Sequence, residues 1–80
     1  MTAGHLSKRS LRLAGHATSI ALEPEFWAVL EAEAVRRAMT LATLIAEQDA
    51  ERAEAGEPLA SRLRVFALKL ALARADGGQG

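Results

Sequence analysis

The sequence predicts a mainly helical fold with one short β-strand near the N-terminus, completed when two chains intertwine. Three observations carry this. Thr18 to Leu22 alternate, with Thr18, Ile20 and Leu22 on one side and Ser19 and Ala21 on the other, the period of a strand. Three later segments place apolar residues at helical spacing. Finally, 80 residues, half of them apolar and none of them cysteine, leave little room for a self-sufficient core. A domain this small buries roughly 60 to 65% of the surface its unfolded chain exposes. With no disulfide to help, an obligate homodimer is expected.

Residues 1–7 have no periodicity and are expected to be disordered, as is the tail from 75 to 80; the folded domain is expected over 8–74. The segment "KRSLRLAGHATSIALE" holds two alternating stretches, Leu11 and Leu13 flanking Arg12, and Ile20 and Leu22 flanking Ala21. Either these form a hairpin within one chain, turning at Gly15, or residues 17–22 are the one firm strand, preceded by a basic arm or extension. A lone strand leaves its backbone unpaired at both edges. Antiparallel pairing with a second copy across a two-fold axis satisfies one edge and creates a dimer at the same time. The strand is therefore expected over 17–22, in a two-stranded antiparallel ribbon formed between chains.

Pro24 suits the first turn of a helix, where its missing N–H is not needed, and Glu23 and Glu25 complement the helix dipole. Phe26, Leu30 and Ala34 then repeat at helical spacing beside Trp27 and Ala38, with Glu31, Glu33, Arg36 and Arg37 on the exposed side, which predicts a helix over 24–38. Thr40 is a good N-cap ahead of Leu41, Leu44 and Ile45, so a second helix is expected over 41–53. "EAGEP" breaks it. A third helix over 59–74 carries Leu59, Leu63, Phe66 and Leu70 on one side and Val65, Leu68 and Leu72 on another. Burial between subunits is expected for so wide an apolar arc.

The net charge is zero, which at first sight argues against a nucleic-acid partner. The distribution says otherwise. Residues 1–22 hold Lys8, Arg9 and Arg12 and no acid; residues 23–57 hold nine acids against Arg36, Arg37 and Arg52; residues 58–80 hold Arg62, Arg64, Lys69 and Arg74 against Asp76. A dimer that joined two N-terminal segments would double their basic patch. No stretch has the apolar character of a signal peptide or of a membrane span, so a cytoplasmic protein with no membrane contact is expected.

Strand, Pro-initiated helix, short turn and Thr-capped helix, in that order, resemble the ribbon-helix-helix family of DNA-binding proteins. In that family two subunits pair one strand each and insert the ribbon into the major groove. "KRSLRLAGHATSIALEPEFW", "TLATLIAEQDAER" and "LASRLRVFALKLALAR" together look like a small bacterial subgroup with an additional C-terminal helix. The resemblance spans residues 8–74. It implies that Ala17, Ser19 and Ala21 face the DNA while Thr18, Ile20 and Leu22 face the core. Family members usually carry Arg, Lys, Thr, Ser, Asn or Gln at the groove positions, and two alanines here depart from that. Alanine offers only apolar contact to a thymine methyl, whereas a bidentate side chain discriminates by about 1 to 3 kcal/mol. Lys8, Arg9, Arg12 and His16 are accordingly expected to supply much of the contact. The resemblance further implies a phosphate anchor at the start of the second helix, through the backbone N–H groups around Thr40, Leu41, Ala42 and Thr43 and the two threonine hydroxyls.

Catalysis is not expected. His16 has no cysteine, tyrosine or neighbouring carboxylate in the N-terminal segment to work with, and a turn or phosphate contact suits it better. Trp27, beside Leu30 at helical spacing, fits a core position rather than a ligand-stacking one. Glu47, Asp49, Glu51 and Glu54 form a solvated helix end without metal-ligand geometry. No cofactor and no metal are expected. The function these features imply is sequence-dependent binding of double-stranded DNA by a homodimer, regulating transcription as a repressor. The alternative is a protein-interaction module, or an antitoxin-like protein whose C-terminal helix binds a second protein, with weak or lost DNA readout.

Overall fold

Both alternating stretches of the N-terminal segment become strands. In the computed structural model, which describes residues 5–77, the chain runs β1 (Ser7–Leu13), β2 (His16–Leu22), α1 (Pro24–Arg36), α2 (Leu41–Ala55) and α3 (Leu59–Gly77). The three helices begin where their caps and periodicity put them, but α1 stops two residues short of 38, α2 runs two beyond 53, and α3 continues beyond 74 into the tail expected to be disordered. β1 likewise takes in Ser7, the last residue of the start expected to be disordered; of those two ends, residues 1–4 and 78–80 lie outside the described residues.

The ribbon corrects the expectation of a lone strand with a basic arm. β1 and β2 pair antiparallel within one chain, in register from Ser7 opposite Leu22 to Leu13 opposite His16. Residues 7 to 13 are therefore a full strand. Alternation in β1 is masked because two polar residues, Ser7 and Arg9, share the inward phase with Leu11 and Leu13. A two-residue turn joins the strands, with positive φ at both Ala14 (51°) and Gly15 (85°). That pair of signs is the signature of the type I′ turn, whose twist matches a hairpin. Gly15 adopts it without steric penalty, whereas Ala14 has a Cβ to accommodate.

One chain also builds a core. Leu13, Ile20 and Leu22 from the ribbon, Trp27, Leu30 and Ala34 from α1, Leu44 and Ile45 from α2, and Leu63 and Ala67 from α3 are all buried together. The strand pairing and burial expected to need a second copy are thus achieved by β1 and α3 of the same chain. What α3 leaves outside is its other side: Val65, Leu68 and Leu72 are each more than half exposed.

Ion pairs hold α3 to the rest. Arg64 donates to both carboxylate oxygens of Glu23, at 2.9 and 3.4 Å, at the start of α1. Arg62 donates to the Gln48 side chain at 3.0 Å and to Glu57 at 2.9 Å, and also pairs with Glu51. The acidic end of α2, expected to be simply solvated, is therefore engaged, with Asp49 bound to Arg52 as well.

Glu33 is the larger departure. Its position on the charged side of α1 predicts exposure, yet it is buried. Arg36 donates to both its oxygens at 3.0 and 2.6 Å, Arg37 donates at 2.6 Å, and Arg74 of α3 stands 3.6 Å away. The Arg36 hydrogen bonds, reinforced by Arg37 and opposed by burial, lower its pKa from 4.5 to about 2.

α1 ends in a Schellman arrangement: Met39 N–H donates to Ala34 O and Ala38 N–H to Val35 O, with Ala38 at φ 57°. This left-handed position is usually glycine, and α2 does end on one, Gly56 at φ 75°. Periodicity places Ala38 last in the helix; it is instead the residue that reverses the chain.

Ala38→Gly is expected to raise stability by about 1 kcal/mol, opposite to the usual effect of glycine, because it relieves a left-handed alanine; the urea midpoint at constant m-value checks it. Glu33→Gln is expected to lower stability at pH 7 by about 2 kcal/mol through the loss of charged hydrogen bonds. Because the folded pKa lies below the ordinary value, the contribution of Glu33 is complete above about pH 4.5 and is lost as pH falls through about 2. The difference between wild type and variant in urea titrations should therefore shrink from pH 7 to pH 2; an unchanged difference would assign the loss to packing.

Candidate nucleic-acid interface

A hairpin packed on one side only has a second face to offer, and here the pairing register decides what stands on it. Lys8 lies opposite Ala21, Ser10 opposite Ser19, and Arg12 opposite Ala17. All six alternate away from the core residues Leu13, Ile20 and Leu22. The Ser10 and Ser19 hydroxyl oxygens meet at 3.3 Å across the middle of the face. Arg12 donates through Nη1 to the Gly15 carbonyl at 3.2 Å, which steadies the guanidinium near the turn. Strands of seven residues span about 23 Å, and a major groove about 12 Å wide admits a two-stranded ribbon.

Among the expected contact residues, Lys8, Arg12, Ala17, Ser19 and Ala21 are brought together on this face. Arg9 and His16 are not. Arg9 has the inward phase: it pairs with Glu31, and its Cζ lies 4.8 Å from the centroid of the Trp27 ring. Its cation is committed to holding β1 on α1. His16 shares the phase of Thr18 and Ile20 and sits exposed at the ribbon tip beside the turn. Ser10 joins the face opposite Ser19, although the periodicity of the sequence does not single it out. Counting outward from a two-residue turn at Ala14-Gly15 pairs it with Ser19, so the signal is available once the hairpin is chosen.

At the start of α2, Thr40 is the N-cap: its Oγ1 accepts from Thr43 N–H at 3.0 Å, and its hydroxyl donates to Thr43 Oγ1 at 2.8 Å. The Thr40 hydroxyl is thus spent on the cap as both donor and acceptor, whereas the Thr43 hydroxyl accepts there and keeps its own O–H to donate. The first helical bond is Leu44 N–H to Thr40 O at 3.1 Å, so the N–H groups of Leu41 and Ala42 come before the intrahelical ladder begins. α2 itself packs against β1.

Electrostatics single out the outer face more sharply than net charge does. Arg9, Arg36, Arg37, Arg52, Arg62, Arg64 and Arg74 all have carboxylate partners within 4 Å. Among the described residues Lys8, Arg12 and Lys69 have none. The surplus positive charge of the C-terminal segment is thus largely absorbed by the acids of α1 and α2, while that of the ribbon projects outward. Among the described residues no group of His, Cys, Asp or Glu is placed to hold a metal ion, and no helix is long and apolar enough to cross a membrane.

Comparison with known proteins agrees with this architecture. The model of the ribbon-helix-helix domain family matches residues 6–71. The fold is similar to the solved structure of an uncharacterized protein from Bordetella pertussis Tohama I, with a TM-score of 0.77 and 41% identity over 91% of this chain. The match covers 61% of that protein, so this chain spans less than two thirds of its length. No curated protein matches the chain. With a family match over most of its length and a two-stranded ribbon followed by helices, the chain belongs to the ribbon-helix-helix family, whose members are in general DNA-binding regulators.

Proposed function

We propose that this protein binds double-stranded DNA by laying the outer face of its hairpin in the major groove, and that it regulates transcription, as a repressor, from the cytoplasm. The observation that carries this is the position of Lys8 and Arg12. They are cations without carboxylate partners among the described residues, on the face of the ribbon turned away from the core. Ser10 and Ser19 between them supply hydroxyls that both donate and accept. Ala17 and Ala21 keep β2 low, so that the ribbon approaches the base edges closely. The N–H groups of Leu41 and Ala42, held in position by the Thr40–Thr43 cap, suit a backbone phosphate at the positive end of α2.

A homodimer is part of the proposal, on a different ground from strand pairing. Val65, Leu68 and Leu72 recur along one side of α3 and are 51, 53 and 58% exposed. A second copy covering this stripe would place two ribbons in one particle and raise affinity by joining two binding events. Leu68→Glu is expected to reduce the sedimenting species to the mass of a single chain. A wild type that already sediments as a single chain would remove the homodimer, and would leave the stripe to a protein of different sequence.

For DNA binding, the double variant Lys8→Ala, Arg12→Ala is expected to lose roughly 10- to 100-fold or more in affinity for its preferred duplex. Far-ultraviolet circular dichroism should be unchanged, because both side chains are exposed. Arg9→Ala is expected to do the reverse, lowering the melting temperature while keeping the affinity of the folded protein. Mobility shifts with fragments of the upstream region at low and moderate salt supply the measurement. Failure of folded wild-type protein to retard any duplex at low salt would overturn the proposal.

A further inference from the structure

The outer face of the hairpin has no two-fold symmetry. A ribbon made from two identical strands carries the same side chains on both, so a dyad runs through its centre and a palindromic run of base pairs suits it. Here β1 contributes Lys8, Ser10 and Arg12, and β2 contributes Ala21, Ser19 and Ala17 against them in that order. Only the central pair, with its oxygens 3.3 Å apart, sets like against like. On either side of it a long cationic donor faces a methyl group.

These two chemistries select different base edges. Lysine and arginine are donors only, and in the major groove they match the O6 and N7 acceptors of guanine. Arg12 spends one donor on the Gly15 carbonyl and keeps the others. Alanine has only its methyl, whose complement is the C5-methyl of thymine. From Lys8 to Arg12 the strand rises about 13 Å, close to four base-pair steps of about 3.4 Å. The core beneath is built from both strands and all three helices of the chain, and the inward cation Arg9 is paired with Glu31, so Lys8 and Arg12 are the cations that β1 leaves on this face.

We propose that each hairpin is a directional base reader, whichever way two copies are arranged. It contacts guanines with the β1 side and thymine methyls with the β2 side of one segment of about four base pairs, so that the sequence under each hairpin is non-palindromic. This rests on the DNA-binding function proposed above and names the class of site that it takes. A dimer would read two such segments, related to each other by the dimer axis, and each would remain non-palindromic within itself.

The test is selection of bound duplexes from a randomised pool by wild-type protein at moderate salt, followed by affinity measurements on the recovered site. The expected core is short, carries guanine toward one side and thymine toward the other, and has no internal dyad. Arg12→Ala, checked for folding by circular dichroism, should lose roughly 5- to 150-fold for its guanine-bearing site and little for a site changed at that one base pair. Arg12→Lys should retain part of the preference, because it keeps the charge and loses the bidentate fork. Uracil in place of thymine should weaken binding by roughly 4-fold on the β2 side, where a methyl contact is lost, and leave the β1 side unchanged. Recovery of a core that is palindromic under one hairpin would overturn the inference while leaving DNA binding intact, and so would tight binding without base preference. Failure to bind any duplex at low salt would instead overturn the DNA-binding proposal itself.

Discussion

The hydrogen bond from Trp27 Nε1–H to the Ser7 carbonyl, 2.7 Å long, is the contact on which the rest of the molecule depends. Trp27 is buried at the start of α1, and Ser7 is the first residue of the outermost strand, so this bond ties the far end of the hairpin to the helical layer. A strand can present either of two faces, and a shift of one residue exchanges them. Anchoring Ser7, with Arg9 stacked over the same indole, fixes the phase of β1. Leu11 and Leu13 then turn inward, and Lys8, Ser10 and Arg12 turn outward. The chemistry of the outer face is thus decided by a contact on the inner one.

The same contact explains why half of the ribbon is hidden in the sequence. β2 declares itself through Thr18, Ile20 and Leu22, because all its inward positions past the tip are suited to a core. β1 does not, because Ser7 and Arg9 occupy inward positions for reasons that involve Trp27 and Glu31, both in a helix whose placement on the ribbon no local pattern reveals. The helices are legible for local reasons: Pro24 at the first turn, Thr40 as a cap and Gly56 with Pro58 as a break all act within a few residues of themselves. Glu33 is not legible, because a charge is buried only where its partners are assembled, and one of these, Arg74, comes from α3. Ala38 looks helical by spacing alone, since nothing in an alanine announces a left-handed reversal. Of the outer face, Lys8, Arg12 and Ser19 are visible as types, but their adjacency requires the hairpin register.

Charge placement has the same two levels. Counted by segment, the two ends of the chain are equally basic and the middle is acidic. Folding makes the ends unequal. α3 spends Arg62, Arg64 and Arg74 on carboxylates of α1, α2 and the turns beside them, which holds the third helix in place and neutralises it. The ribbon spends only Arg9. Exposed pairs of this kind contribute little stability individually, but collectively they remove competing positive surface, and the potential of a neutral protein becomes concentrated along one hairpin.

Closing the ribbon within one chain also alters what a third helix is for. A hairpin on two helices would leave the inner sides of Ile20 and Leu22 incompletely covered, since a two-stranded sheet is marginal until something packs across it. Leu63 and Ala67 of α3 are buried in that same cluster, and α3 packs on α1, α2 and β2. The extra helix therefore does for this chain what burial against a second copy was expected to do, and β1 does the same for strand pairing. Once both are supplied internally, the two strands of the ribbon are free to differ in sequence, because no symmetry axis forces them to match. The unlike strands, one cationic and one lined by alanine, are the consequence of that freedom, and they make the direction in which the hairpin lies along a groove chemically distinguishable.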